Sequence, residues 1–113
     1  MASEDNSKQG SENSMQEMQY LEQTLQNILM QKQSFQLEQS ETESAIKELD
    51  NAGDEVYKVI GQMMIKSEKS QMKEELENKK KFLDLRLKNL EKQESSIMEK
   101  LESFRKEFSE KNK

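Results

Sequence analysis

The amino-acid sequence predicts a mainly α-helical chain. Two heptad-patterned arms fold back on each other as an antiparallel coiled-coil hairpin, and a central β-hairpin between them joins subunits into an oligomer. Three observations carry this reading. Apolar residues recur on a 3-4 alternation in two separate stretches, the mark of a coiled-coil strand. A short β-branched segment lies between those stretches. The 113 residues contain no proline and three glycines, so little interrupts a helical backbone.

The first arm follows a polar stretch. Residues 1–14 (MASEDNSKQGSENS) hold no apolar residue beyond Met1 and Ala2 and are expected as a disordered tail. Ser14-Met15-Gln16-Glu17 fits a capping box, which starts the helix at about Met15. Met18, Leu21, Leu25, Ile28, Lys32, Phe35, Gln39, Thr42, Ile46 and Leu49 then occupy successive seam positions, with Lys32, Gln39 and Thr42 diluting the centre. Asp50-Asn51-Ala52-Gly53 ends the arm, and Gly53 is placed to supply a left-handed cap.

The middle segment, Glu55 to Lys66, predicts two strands with a tight reversal at Gly61-Gln62. An isolated two-stranded hairpin is unstable in water and has two open edges. Its apolar side chains Val56, Tyr57, Val59, Ile60, Met63, Met64 and Ile65, grouped around Gly61, therefore predict that hairpins from several subunits join into a shared sheet or barrel.

A second seam begins near Met72 and continues through Leu76, Lys80, Leu83, Leu87, Leu90, Glu94, Ile97, Leu101, Phe104 and Phe108, placing a helix over about 68–110. Lys80 and Glu94 are its polar interruptions. Five acid-to-base spacings of i,i+4 are expected to line the outside: Glu75–Lys79, Glu77–Lys81, Asp84–Lys88, Glu102–Lys106 and Glu107–Lys111. The single domain is thus expected over 15–113, with helices at about 15–51 and 68–110 around strands at about 55–66.

Composition narrows the function. Hydrophobic residues make up 31% and charged residues 36% of the chain, against about 25% charged in an ordinary globular domain, which argues against a conventional core. With no cysteine and no histidine, thiol chemistry, the commonest metal ligands and the commonest general base are missing. Ser40, Ser44 and Ser70 have no histidine to activate them, and no glycine-rich phosphate loop occurs. An enzyme is not expected, and neither is a cofactor or metal. No apolar run is long enough for a transmembrane helix or a secretory signal. Net charge is −5; residues 1–50 carry ten acids against three bases, and residues 51–113 thirteen against fifteen. The Lys79-Lys80-Lys81 run sits among acids and reads as a solvated helix face, so no nucleic-acid partner is expected.

The run Val56-Tyr57-Lys58-Val59-Ile60-Gly61-Gln62-Met63-Met64-Ile65-Lys66 is similar to the central hairpin of β-type prefoldin subunits. Leu83-Asp84-Leu85-Arg86-Leu87, Leu90 and Gln93-Glu94 resemble that family's second arm, and the likeness covers roughly residues 15–110. One hairpin rather than two points to the β type. The resemblance implies a cytoplasmic, ATP-independent holding chaperone, a hexamer of two α-type and four β-type subunits. Hairpins build its β-barrel platform, and coiled-coil tips grip non-native client proteins and pass them to a group II chaperonin. No membrane partner is implied.

In an antiparallel hairpin the two chain ends meet at the tip, which brings Met15, Met18, Tyr20 and Leu21 beside Leu101, Phe104 and Phe108. Flexible methionines and aromatics suit promiscuous capture of apolar segments. The alternative is that these residues close the seam; both readings stand for Leu21, Leu101 and Phe104, while Met15 and Phe108, nearest the tip, favour client binding. A different class of function, a structural coiled-coil tether or adaptor with one dedicated partner, also fits the composition. It has no need of the central strand pair.

Overall fold

The computed structural model describes residues 2–111, with side chains described over 13–110. The element order is α1 (Ala2–Asn51), β1 (Glu55–Ile60), β2 (Met63–Glu68) and α2 (Lys69–Lys111). The architecture is mainly helical around one antiparallel strand pair, the fold class the heptad arms and the β-branched segment predict.

Several details differ from the sequence expectation. Helical backbone begins at Ala2 rather than Met15 and covers the stretch expected as a disordered tail. Those residues contain no proline, and Gly10 is their one glycine, so no steric block stops the i→i−4 ladder from running through them. Ser14 and Glu17 consequently lie inside a helix and cap nothing. β2 continues through Ser67 and Glu68, so α2 starts directly at Lys69.

Gly53 is not left-handed: among the described residues only Gly61 has positive φ. The C-terminus of α1 is closed by other means. The Ala52 amide donates to the Leu49 carbonyl at 3.1 Å, tightening the last turn. The Lys69 ammonium donates to the carbonyls of Asp50 (3.4 Å) and Ala52 (3.0 Å). The last turn of α1 has no basic residue of its own. Lys69, brought back by the strand pair, supplies the cation that a helix C-terminus favours.

Packing divides the chain into two units. The first holds the N-terminal stretch to Lys32 and the C-terminal stretch from Asn89, and its seam buries Leu21 and Ile28 of α1 with Leu90 and Leu101 of α2. The second spans Gln33–Lys88 and buries Thr42 and Leu49 with Leu83 and Leu87. Every seam position named from the sequence, from Met18 to Leu49 and from Met72 to Phe108, is buried or half-buried. Each apolar side chain fully buried there contributes about 1.5–3 kcal/mol.

Apart from Thr42, the polar interruptions of the two seams find partners on the opposite helix. In the first unit the Lys32 ammonium donates to Glu94 Oε2 at 2.8 Å, with both side chains about four-fifths covered. That carboxylate raises the Lys32 pKa above its ordinary value, against the opposing effect of burial. In the second unit Gln39 Nε2 donates to Asp84 Oδ1, Lys80 lies 3.7 Å from Glu43, and Lys73 lies 3.2 Å from Asp50. Each step up α1 meets a step back down α2, which defines the antiparallel register. Thr42, only 3% exposed, satisfies its hydroxyl by donating to the Glu38 carbonyl at 2.7 Å.

The expected i,i+4 pairs do not close. Among the described residues Glu75 pairs with Lys58 and Asp84 bonds Gln39, while Lys79, Lys81, Lys88 and Lys106 make no ion pair. The Lys111 side chain lies outside the described residues, and the Glu107–Lys111 expectation with it. For Glu75 and Asp84, partners across the fold take the place of a solvated neighbour on the same helix, because i,i+4 pairs are worth only a few tenths of a kcal/mol.

Candidate functional site

The strand pair is in register Glu55↔Glu68, Val56↔Ser67, Tyr57↔Lys66, Lys58↔Ile65, Val59↔Met64 and Ile60↔Met63. Two residues, Gly61 and Gln62, make the reversal. Gly61 has φ 61° while Gln62 stays at negative φ, the geometry of a type II′ turn with glycine first. A Cβ at Gly61 would meet no neighbour, so glycine is demanded by backbone conformation and not by space.

Side chains alternate across the sheet, so cross-strand partners share a face. Tyr57, Val59 and Met64 occupy one face, with Lys66. Val56, Ile60, Met63 and Ile65 occupy the other, with Lys58. Apolar side chains therefore stand on both faces, with Glu55 and Glu68 adding charge to the first and Ser67 ending the second. Val56 is half-buried, but Tyr57, Val59, Ile60, Met63, Met64 and Ile65 are exposed, up to 69% at Met64. Ion pairs rim the sheet: Lys66–Glu55 at 3.0 Å within it, and Lys58–Glu75 at 3.1 Å tying it to the start of α2. Between the second face and α2 runs an open groove of about 1180 Å³, with Ile60 and Ile65 on the strand side and Lys69 and Lys73 on the helix side.

Two open edges, apolar side chains on two faces and a rigid turn are the elements of strand-to-strand assembly. Unpaired backbone groups seek another strand, and the exposed side chains seek a second layer.

The first unit contains the residues predicted for client contact. Met15 and Tyr20 are exposed, at 51% and 69%. Met18, Phe104 and Phe108 are half-buried. Leu21 and Leu101 are buried in the seam, where their heptad positions turn them toward the opposite helix. Beside them is an apolar hollow of about 430 Å³, lined by Leu25, Met98 and Leu101 and rimmed by Arg105 and Lys106. Met98 was not among the predicted residues, because it lies one position off the seam. Its adjacency to Ile97 is the only sequence signal it carries.

Comparison with known proteins gives a consistent picture. The family profile described as "Prefoldin subunit" matches residues 12–113. The prefoldin subunit beta of Methanothrix thermoacetophila is 41% identical over 88 residues, covering 76% of this chain and 73% of that protein. That of Thermococcus onnurineus is 38% identical over 85 residues, covering 74% and 73%. Among solved structures, the crystal structure of the prefoldin beta subunit from Thermococcus strain KS-1 superposes with a TM-score of 0.77 at 33% identity, covering 85% of this chain and 86% of that one. The paired heptad seams, the II′ hairpin and these matches together establish that the chain belongs to the prefoldin subunit family, in which it is similar to the β-type subunits.

Proposed function

We propose that this chain is a subunit of an ATP-independent holding chaperone. It joins α-type subunits and further β-type copies, two α to four β, through a shared β-barrel platform. It captures non-native proteins at the ends of its helices and delivers them to a group II chaperonin in the cytoplasm. The observation that carries the reading is the strand pair, whose six exposed apolar side chains lie on both faces of a sheet too small to stand alone. A dedicated tether or adaptor has no use for such a platform.

Assembly and capture draw on different units, the strand pair on the second and the helix ends on the first. Exposed Met15 and Tyr20 and half-buried Met18, Phe104 and Phe108 support the capture role. Each contributes up to about 1.5–3 kcal/mol when buried against a client, and several copies in one assembly add through multivalency. Leu21 and Leu101 serve this role by holding the helix ends together.

The test is a deletion of residues 1–18 and 104–113, assayed for subunit number by sedimentation and for suppression of aggregation of an unfolded model protein. The assembly is expected to persist while the client precipitates. Full holding activity in the truncated assembly would place client capture elsewhere, and loss of assembly would show that the helix ends, not the strand pair, join the subunits.

A further inference from the structure

Sulfur occurs in this chain only as methionine, with eight methionines and no cysteine. Two of them, Met63 and Met64, are consecutive and open β2 directly after the Gly61-Gln62 turn. Neighbours along a strand point to opposite faces, so one thioether stands on each face of the strand pair. Met63 is opposite Ile60 and Met64 opposite Val59, which sets each in the apolar part of its face, beside the turn. In the single subunit they are 63% and 69% exposed, open to a small solute.

The other described methionines differ. Met18 and Met72 are half-buried in the seams. Met15, Met30 and Met98 are exposed on the helices, where added polarity leaves the joint between subunits untouched. Met63 and Met64 combine exposure in the free subunit with a place in the surface that a shared sheet would cover. A thioether suits that cover, being apolar and pliable. A sulfoxide does not: it carries a strong acceptor oxygen, and burying that oxygen without a donor is costly.

Resting on the shared-sheet assembly proposed above, we infer that Met63 and Met64 are modification sites that make assembly sensitive to peroxide: thioethers there admit the strand pair to the platform, and sulfoxides keep it out. The oxidant is a hydroperoxide. A sulfur lone pair attacks one peroxide oxygen, the O–O bond breaks as the S–O bond forms, and the second oxygen takes up the proton and leaves as water or an alcohol. Sulfur loses two electrons and the peroxide gains them, so no further reactant is needed. Assembly covers both methionines and shields them, so the switch acts on free subunits awaiting incorporation and not on finished assemblies. Enzymatic reduction of the sulfoxides reverses it.

The test treats the full-length chain with hydrogen peroxide, once dissociated by dilution and once assembled. Peptide mass spectrometry locates the sulfoxides, and sedimentation reads subunit number. Oxidation of Met63 and Met64 is expected in the dissociated chain and not in the assembled one. The concentration for half-assembly should then rise about ten-fold or more, and methionine sulfoxide reductases should bring it back. Met63→Gln/Met64→Gln, which sets an amide oxygen near the place of the sulfoxide oxygen, should raise it without any oxidant while circular dichroism stays helical. In Met63→Leu/Met64→Leu, peroxide should change that concentration by less than about two-fold, whatever its starting value. The proposal is overturned if wild-type chain with sulfoxide at both positions assembles as the untreated chain does, or if Met63→Leu/Met64→Leu is equally sensitive to peroxide. Normal assembly of Met63→Gln/Met64→Gln overturns it as well. Val59→Asp/Ile65→Asp separates that failure from failure of the shared sheet: if this variant stays apart, only the peroxide switch is lost, and if it assembles, the shared sheet is lost with it.

Discussion

The helix seams and the strand pair of this chain treat apolar side chains in opposite ways. Along the seams, leucines and isoleucines at 3-4 spacing are enclosed by the opposite helix of the same chain, down to 1% exposure at Leu83. In the strand pair, Tyr57, Val59, Ile60, Met63, Met64 and Ile65 find no such cover. The helices thus satisfy themselves within one subunit, while the strands have satisfied only their shared edge. On the proposed function the contrast separates folding from assembly, with different residues assigned to each, so that each should break without the other.

The largest effect is expected from Val59→Asp/Ile65→Asp, which sets a carboxylate on each face of the strand pair. Burying either in a shared sheet is prohibitive. Assembly should be lost at low micromolar concentration by sedimentation while far-ultraviolet circular dichroism keeps most of its helical signal. If the oligomer survives, the strand pair is not the joint.

Leu83→Ala addresses the other side of the comparison. Removing the most enclosed seam side chain should cost about 2–5 kcal/mol of helix-pair stability in urea denaturation. It should leave the hairpin's capacity to assemble intact at low temperature. A loss under about 1 kcal/mol would mean that the seam is not the core.

The heptad seam was legible in the sequence because burial imposes its own period: any residue at those spacings must face the other helix, whatever its chemistry. The hairpin was legible because Gly61 stands between two β-branched or apolar runs, and a two-residue reversal needs positive φ at its first position. Side-chain pairing was not legible to the same degree. Lys32 and Glu94 each looked like a defect, since the ion pair emerges only when the two seams are aligned. The signal was there, as opposite charges at seam positions nearly equidistant from the Gly61-Gln62 turn. Lys69 as the cap of α1 was hidden for a different reason, because it lies beyond both strands and reaches α1 only through the strand pairing. The helical backbone from Ala2 onward carries no apolar period to announce it, because polarity alone neither forbids nor favours a helix.

The Lys32–Glu94 layer gives a smaller and directional effect. Lys32→Leu leaves the mostly covered Glu94 without its cation and should destabilise the chain more than the double substitution Lys32→Leu/Glu94→Leu. The pH dependence follows from the raised Lys32 pKa. Because the folded value lies above the ordinary 10.5, the pair's contribution is complete below that value and fades as pH rises through the folded one. Thermal denaturation between neutral and strongly alkaline pH should therefore show a steeper alkaline loss in the wild type than in the double variant. Parallel profiles would remove the pair from the account.

The smallest effect belongs to the exposed rim. Glu75→Gln breaks the solvent-screened pair with Lys58, both about half-exposed, and should shift stability by less than about 1 kcal/mol without altering subunit number.

Amide hydrogen exchange over residues 55–68 reports on whether strands of different subunits pair. In a lone hairpin, only amides pointing between β1 and β2 are hydrogen-bonded; in a shared sheet, those pointing outward are bonded too. Outward-pointing amides should be protected in the assembled wild type and lose that protection in Val59→Asp/Ile65→Asp. Fast exchange of those amides in the wild-type assembly would contradict that pairing, leaving the strand pair an ornament of the helices and not the joint between subunits.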